Sequence, residues 1–198
     1  MEGDTLMADF DAAYRKIMGY EGGYVDDPDD AGGETYRGIS RRHHPSWRGW
    51  EYIDRLKEEK NRGNGAIELL VEHYAREFYR SQFWDPMLLG EVLDQSIANE
   101  MFDCGVNLGI TRAVMFLQTA LNVMNQGGKL YPDLVVDGKM GPKTLSALHA
   151  LPPRDLPVLL LWMNVQQGAH YMDYMRRSPT QEKYARGWAK RVFLEKEG

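Results

Sequence analysis

Glu21, Asp30 and Thr35 are residues of the types that glycosidic bond cleavage requires, and they fall within one short stretch. That stretch, EGGYVDDPDDAGGETYRGI at 21–39, holds six acidic residues and five glycines. Breaking a sugar acetal needs an acid that still carries its proton. It also needs a second polar group to direct water or to stabilise an oxocarbenium-like transition state. Apolar or aromatic surroundings keep a carboxyl protonated near neutral pH. Glu21 lies between Tyr20 and Tyr24 in sequence, at the exit of an expected helix whose C-terminal dipole also disfavours the charged form. Gly32 and Gly33 permit a sharp turn and a close approach of backbone to a sugar, so a hairpin could return Asp30 and Thr35 toward Glu21. Two other readings fit the same residues. One is a solvated acidic turn. The other is a calcium loop on Asp26, Asp27, Asp29 and Asp30, although the alternating spacing and closing glutamate of an EF-hand are missing.

The elements that must position these residues are mostly helical. Phe10, Ala13, Tyr14, Ile17 and Met18 recur at helical spacing over 8–20, and Gly22-Gly23 is expected to end that helix. Residues 22–40 read as a small hairpin or long loop. Further helices are expected from Pro45 to Lys60, Ala66 to Phe83, Glu91 to Asn107, and Arg112 to Met124 with Thr111 as its cap. Pro142 opens a short helix, Leu156–Arg177 forms the last long one, and a final helical piece covers 181–196. The expected fold class is mainly α, a lysozyme-like helical fold with a small β-hairpin or loop after the first helix. Residues 1–90 would form an N-terminal lobe carrying the Glu-Asp-Thr motif, and 91–198 a C-terminal helical lobe packed with it as one unit.

A chain of 198 residues with 43% hydrophobic and 27% charged residues is long enough for one good core or two small ones. Its net charge of -5 gives no blanket attraction to nucleic acid or an anionic membrane. The acidic, polar N-terminal residues lack the pattern of a signal peptide. The most apolar run, 156–163, falls well short of the roughly 20 residues that span a bilayer. The expectation is a soluble protein synthesised in the cytoplasm and released or exported by other machinery, with no stable membrane insertion.

Other chemistry-bearing residues have plainer readings. Cys104, the single cysteine, reads as a buried structural thiol. His43 and His44 are adjacent, so they point in different directions and make a poor metal pair. Trp47, Trp50 and Trp84 read as core. Asp137-Gly138-Lys139-Met140-Gly141-Pro142 reads as a packed glycine turn before a helix whose Leu145 and Leu148 face inward. Asn107 reads as the C-cap of a helix, and Lys183, Arg186, Lys190 and Arg191 as a solvated helix face.

The 21–39 stretch resembles the signature of the N-acetylmuramidases of glycoside hydrolase family 108. The matching positions are Glu21-Gly22-Gly23-Tyr24, Asp27-Pro28, Asp30, Gly32-Gly33, Thr35 and Gly38-Ile39. Residues 101–122, 136–148 and 186–192 are also similar to the family. The resemblance implies hydrolysis of the β-1,4 bond between N-acetylmuramic acid and N-acetylglucosamine in bacterial peptidoglycan. Glu21 would be the general acid. Asp30 would direct or activate water or stabilise the transition state, and Thr35 would help position that water. Tyr24, Gly32, Gly33, Tyr36 and Asn107 would line the substrate site, with Tyr36 standing where the family more often has asparagine. No metal or organic cofactor is implied. A phage-type endolysin released with the help of a holin, or an enzyme that opens the wall for a secretion system, would fit. The rivals are a lytic transglycosylase and a non-catalytic peptidoglycan-binding scaffold.

Overall fold

In the computed structural model, the Asp9 carboxylate accepts a hydrogen bond from the Ala12 N–H at 2.6 Å and so caps α1 (Phe10–Met18). The structure describes residues 7–19, 23–26, 33–58 and 65–192. They form two compact units, one within 9–85 and the other comprising 86–192 with 7–8.

In the N-terminal unit, α1 buries Phe10, Ala13, Tyr14, Ile17 and Met18, the residues whose spacing predicted it. A three-stranded antiparallel sheet follows, with β1 at Tyr24–Val25, β2 at Thr35–Tyr36 and β3 at Ile39–Ser40. Strand β2 is central, and its Thr35 pairs with Val25 on one side and Ser40 on the other. The β2–β3 turn places Arg37 and Gly38 at φ 46° and 81°, the two positive values that a type I′ hairpin needs.

Helices α2 (Gly49–Glu58) and α3 (Gly65–Tyr79) pack on each other. Helix α2 starts at Gly49, later than the expected Pro45. The Trp47 ring lies over Gly49 so closely that a Cβ there would stand 2.2 Å from it. The residues before α2 instead form successive turns, closed by His44 N–H to Ser40 O and Trp47 N–H to His44 O. Trp50 and Trp84 are buried as expected, whereas Trp47 is only half-buried. After α3 the chain continues through a wider π turn at 80–84.

In the C-terminal unit, α4 (Gln95–Leu108) is capped by Asp94, which accepts from Ile97 N–H at 2.9 Å. Helices α4, α5 (Ile110–Met124) and α7 (Leu156–Arg177) pack together around Phe102, Leu117, Leu121, Leu159 and Met163. Helices α6 (Pro142–Ala150) and α8 (Ala185–Val192) complete the unit. Thr111 is not the cap of α5. Gly109, at φ 86°, closes α4 and opens α5, a backbone conformation that glycine adopts without strain. Thr111 falls inside the helix, with its methyl group against Gly138.

The fold is mainly α with one small antiparallel sheet after the first helix, in agreement with the fold class read from the sequence. Among the described residues, no helix is long and apolar enough to cross a membrane.

Candidate active site

Thr35 stands half-buried on the central strand, where the ladders to β1 and β3 fix its backbone on both sides. Two residues before it, Gly33 has φ 64°, and no described residue lies within 4 Å of the position of a Cβ, so among the described residues it is the backbone conformation that calls for glycine. Tyr36 stacks on Trp47 with ring centroids 5.9 Å apart, and its hydroxyl donates to Glu72 Oε2 at 3.3 Å. The Arg37 Nε–H lies 2.7 Å from the same Glu72 oxygen, and the Tyr79 hydroxyl donates to the Arg37 carbonyl at 2.5 Å. These contacts hold a non-glycine residue in the left-handed region at the tip of the hairpin. Burial pushes the Tyr36 phenol up, despite the opposing effect of Arg37.

Glu34 organises the other side of β2. The Tyr24 hydroxyl lies 3.0 Å from Glu34 Oε1 and 3.2 Å from Asp26 Oδ2, and it can donate to one of them at a time. Lys57 Nζ donates to Glu34 Oε1 at 2.6 Å, and Arg41 donates to Glu34 Oε2 at 2.9 Å. Arg41 also forms a two-pronged pair with Asp54 at 2.7 and 2.6 Å. Burial by itself would push the Glu34 carboxyl up, but the hydrogen bonds from Lys57, Arg41 and Tyr24 outweigh it and hold the group below the usual carboxylate range. The Arg41 pair likewise holds Asp54 down. The sequence pattern presents Glu34 as one more carboxylate of the acidic run. Its partners Arg41 and Lys57 come from beyond that run, and only the fold of β3 onto α2 brings them close.

Glu21, Asp30 and Gly32 lie outside the described residues. Of the other expected site residues, Tyr24, Gly33, Thr35 and Tyr36 all belong to the sheet or its entry. Asn107 belongs to the C-terminal unit, on the last turn of α4. Its Nδ2 donates to the Asp103 carbonyl at 2.8 Å and to Asp103 Oδ1 at 3.2 Å, and its side chain lines a cleft with Arg112 and Trp188.

The remaining candidates are structural. Cys104 is buried, and burial pushes its thiol up, away from the reactive thiolate. His43 and His44 are exposed, and no group of three or more metal-ligating side chains lies among the described residues. Arg191 is not on a solvated face but pairs with Asp103 of α4. In the 137–141 turn, Leu145 and Leu148 face inward as read, and the buried Gln118 ties the turn to α5. Gln118 donates to Asp137 Oδ1 at 2.9 Å, to the Lys139 carbonyl at 3.2 Å and to Thr144 Oγ1 at 3.2 Å. It accepts from the Gly138 N–H at 2.9 Å.

Residues 14–109 match the family described as Glycosyl hydrolase 108, and residues 112–193 match one described as Predicted Peptidoglycan domain. Eleven solved chains match the protein. One, titled Structure of Brucella abortus SagA, aligns with TM-score 0.61 and 23% identity, covering 92% of this chain and 88% of that one. That likeness is one of fold. No curated protein matches the chain. A match to a glycoside hydrolase family followed by a match to a peptidoglycan domain makes the chain a glycoside hydrolase of the muramidase class that acts on peptidoglycan. The similarity to the glycosyl hydrolase 108 family covers residues 14–109, just under half of the chain.

Proposed function

We propose that the enzyme hydrolyses the β-1,4 bond between N-acetylmuramic acid and N-acetylglucosamine. Glu21 is the general acid that protonates the leaving oxygen. Asp30 directs or activates water or stabilises the transition state, and Thr35 positions that water. Tyr24, Gly32, Gly33 and Tyr36 contact the glycan. The observation that carries this reading is the family match over 14–109, which spans the whole Glu-Asp-Thr motif. The placement of Thr35 on the central strand supports it, because a hydroxyl that positions water must itself be held in place.

The substrate lies outside the cytoplasmic membrane, so an enzyme made in the cytoplasm needs a route to it. A holin lesion, for an endolysin, or a secretion system that needs a local opening in the wall would provide one.

Purified wild type and Glu21→Gln are incubated with peptidoglycan, and soluble fragments are analysed by mass spectrometry. The expected result is reducing N-acetylmuramic acid ends from the wild type, with release by the variant lower by about a thousandfold, within the range for losing a general acid. Anhydro ends would make the protein a lytic transglycosylase. Wall binding with no fragments from either protein would make it a scaffold.

A further inference from the structure

In the C-terminal unit, α7, α8 and the α4–α5 junction enclose a cleft of about 430 Å³. The chain has 29 acidic residues against 24 Lys and Arg, yet among the described residues no carboxylate lines this cleft. Its charged and polar wall is Arg112, Arg177, His170 and Asn107. Arg112 stands on the first turn of α5. Its contact is with the Leu108 carbonyl at 3.4 Å, and no described carboxylate pairs with it. Arg177 pairs with Asp173 at 2.8 Å, but Asp173 also serves Arg176 at 3.1 Å, so one carboxylate is shared by two guanidiniums. His170, Tyr174 and Arg177 follow each other at i, i+4 and i+7 on α7 and so share a face.

Trp188 of α8 gives the cleft an aromatic side. Trp188 stacks on Tyr174 with centroids 5.9 Å apart and an interplanar angle of 24°. Asn107 commits its amide N–H to Asp103, and its carbonyl oxygen has no partner among the described residues. Two guanidiniums that can each grip a carboxylate, a free acceptor for an N–H and a flat apolar wall together fit a short acidic peptide better than a neutral glycan.

We propose that this cleft binds the carboxylate-bearing peptide stem of peptidoglycan, with Arg112 and Arg177 on a stem carboxylate and the Tyr174–Trp188 wall against its aliphatic groups. The inference rests on the peptidoglycan reading above and assigns the stem, rather than the glycan strand, to this unit.

The test is a calorimetric titration of the full chain with three probes: an acidic stem peptide, the same peptide with its carboxylates amidated, and a chitooligosaccharide without a stem. The acidic peptide is expected to bind, and amidation to weaken it by about tenfold or more. Arg112→Gln or Arg177→Gln should each weaken it by about tenfold, the scale for losing one charge-assisted contact. The His170 ring resonances should shift when the acidic peptide is added to the wild type, and they report an intact cleft in each free variant. Equal binding of acid and amide, indifference to both arginine variants, or tighter binding of the chitooligosaccharide would overturn the proposal. Fragment release from intact peptidoglycan by the same preparation separates the two readings. Release with a charge-blind cleft overturns the stem site alone, and no release overturns the muramidase reading whatever the titration gives.

Discussion

In the N-terminal unit the sheet is tied to α2 by charge. Glu34 bridges Lys57 and Arg41, and Arg41 passes on to Asp54. In the C-terminal unit the 137–141 turn is tied to α5 by one neutral amide, with Gln118 meeting Asp137, Gly138, Lys139 and Thr144. Both arrangements fix a glycine-bearing turn to a helix. Charge tolerates partial exposure, because water solvates whatever the pair leaves unmet, and its strength then varies with pH and salt. The amide is nearly fully buried, where each partner it abandons keeps its full desolvation cost. One of those partners is the Asp137 carboxylate, which the Gln118 hydrogen bond holds below the usual carboxylate range, so strong acid weakens this clasp too, while salt, which screens charges, acts little on a buried amide.

The sharpest way to break the comparison is Gln118→Leu. The substitution removes the acceptor of the Gly138 N–H and the donor to Thr144 in a buried setting, and about 3 kcal/mol of stability should be lost from the C-terminal unit. Amide hydrogen exchange read separately for the two units checks this. Faster exchange spread evenly over both would show that the turn is not a local clasp. Gly138→Ala attacks the same clasp from the other side. Its φ is 70°, and a Cβ would meet the Thr111 carbonyl at 2.7 Å, where backbone cannot easily give way, so a loss of about 2–3 kcal/mol is expected.

Glu34→Gln tests the charged clasp. Its side chain is 14% exposed, and it should cost the N-terminal unit about 2 kcal/mol, since two charge-assisted bonds become weak neutral ones. The pH dependence follows from the depressed carboxyls of Glu34 and Asp54. A group whose folded value lies below its unfolded value contributes fully above the unfolded value, about 4 for a carboxylate, and loses that contribution as pH falls through the folded one. Protection factors in the sheet, with the intrinsic pH dependence of exchange divided out, should therefore fall as the pH is lowered below about 4, and the variant should lack that part of the acid response. Raising salt to about 1 M, where screening acts over about 3 Å, should loosen the sheet and leave the 137–141 turn unmoved. Equal salt sensitivity in both units would dissolve the contrast.

Most of the helices were legible because each carries its own period and its own punctuation. Examples are the Phe10–Met18 face and proline at the first position of α6. The start of α4 was set too early, at Glu91, because Asp94 was not read as its cap. The other errors also fell at helix starts. Nothing local to Pro45 announces that the Trp47 ring will lie over Gly49 and that α2 will start there. Nothing local to Thr111 shows that Gly109 will cap two helices at once and leave the threonine to pack on Gly138. The candidate site was read as residue types in order, acid, water-directing group and hydroxyl, because the chemistry asks for them; of the three, Thr35 is a described residue. Its supports were not, since Glu34 finds Arg41 and Lys57 only after β3 and α2 fold back. The C-terminal cleft was not read from the sequence, although His170, Tyr174 and Arg177 stand at helical spacing. Arg112 and Trp188 join them from 58 positions before and 18 positions after His170, which no local pattern encodes.

The smallest expected effect isolates conformation from packing. Gly33 and Gly138 share a left-handed backbone, at φ 64° and 70°, but among the described residues nothing lies within 4 Å of a Cβ built on Gly33. Gly33→Ala should therefore cost only the left-handed penalty, about 1 kcal/mol, with no clash added. Its consequence for activity should be larger than its consequence for stability. Relieving the strain means rotating Gly33 toward negative φ, and Thr35 stands two residues further along the same strand entry. On the reading in which Thr35 positions water, a shift of about 1 Å at that hydroxyl lowers kcat by up to about a hundredfold. Fragment-release kinetics on peptidoglycan, beside a thermal melt, test the pair of expectations. A variant that melts near wild type and has lost most of its kcat places Thr35 in the reaction. Proportionate losses of both, or wild-type kcat with lowered stability, would reduce β2 to a structural strand and remove the hydroxyl from the mechanism.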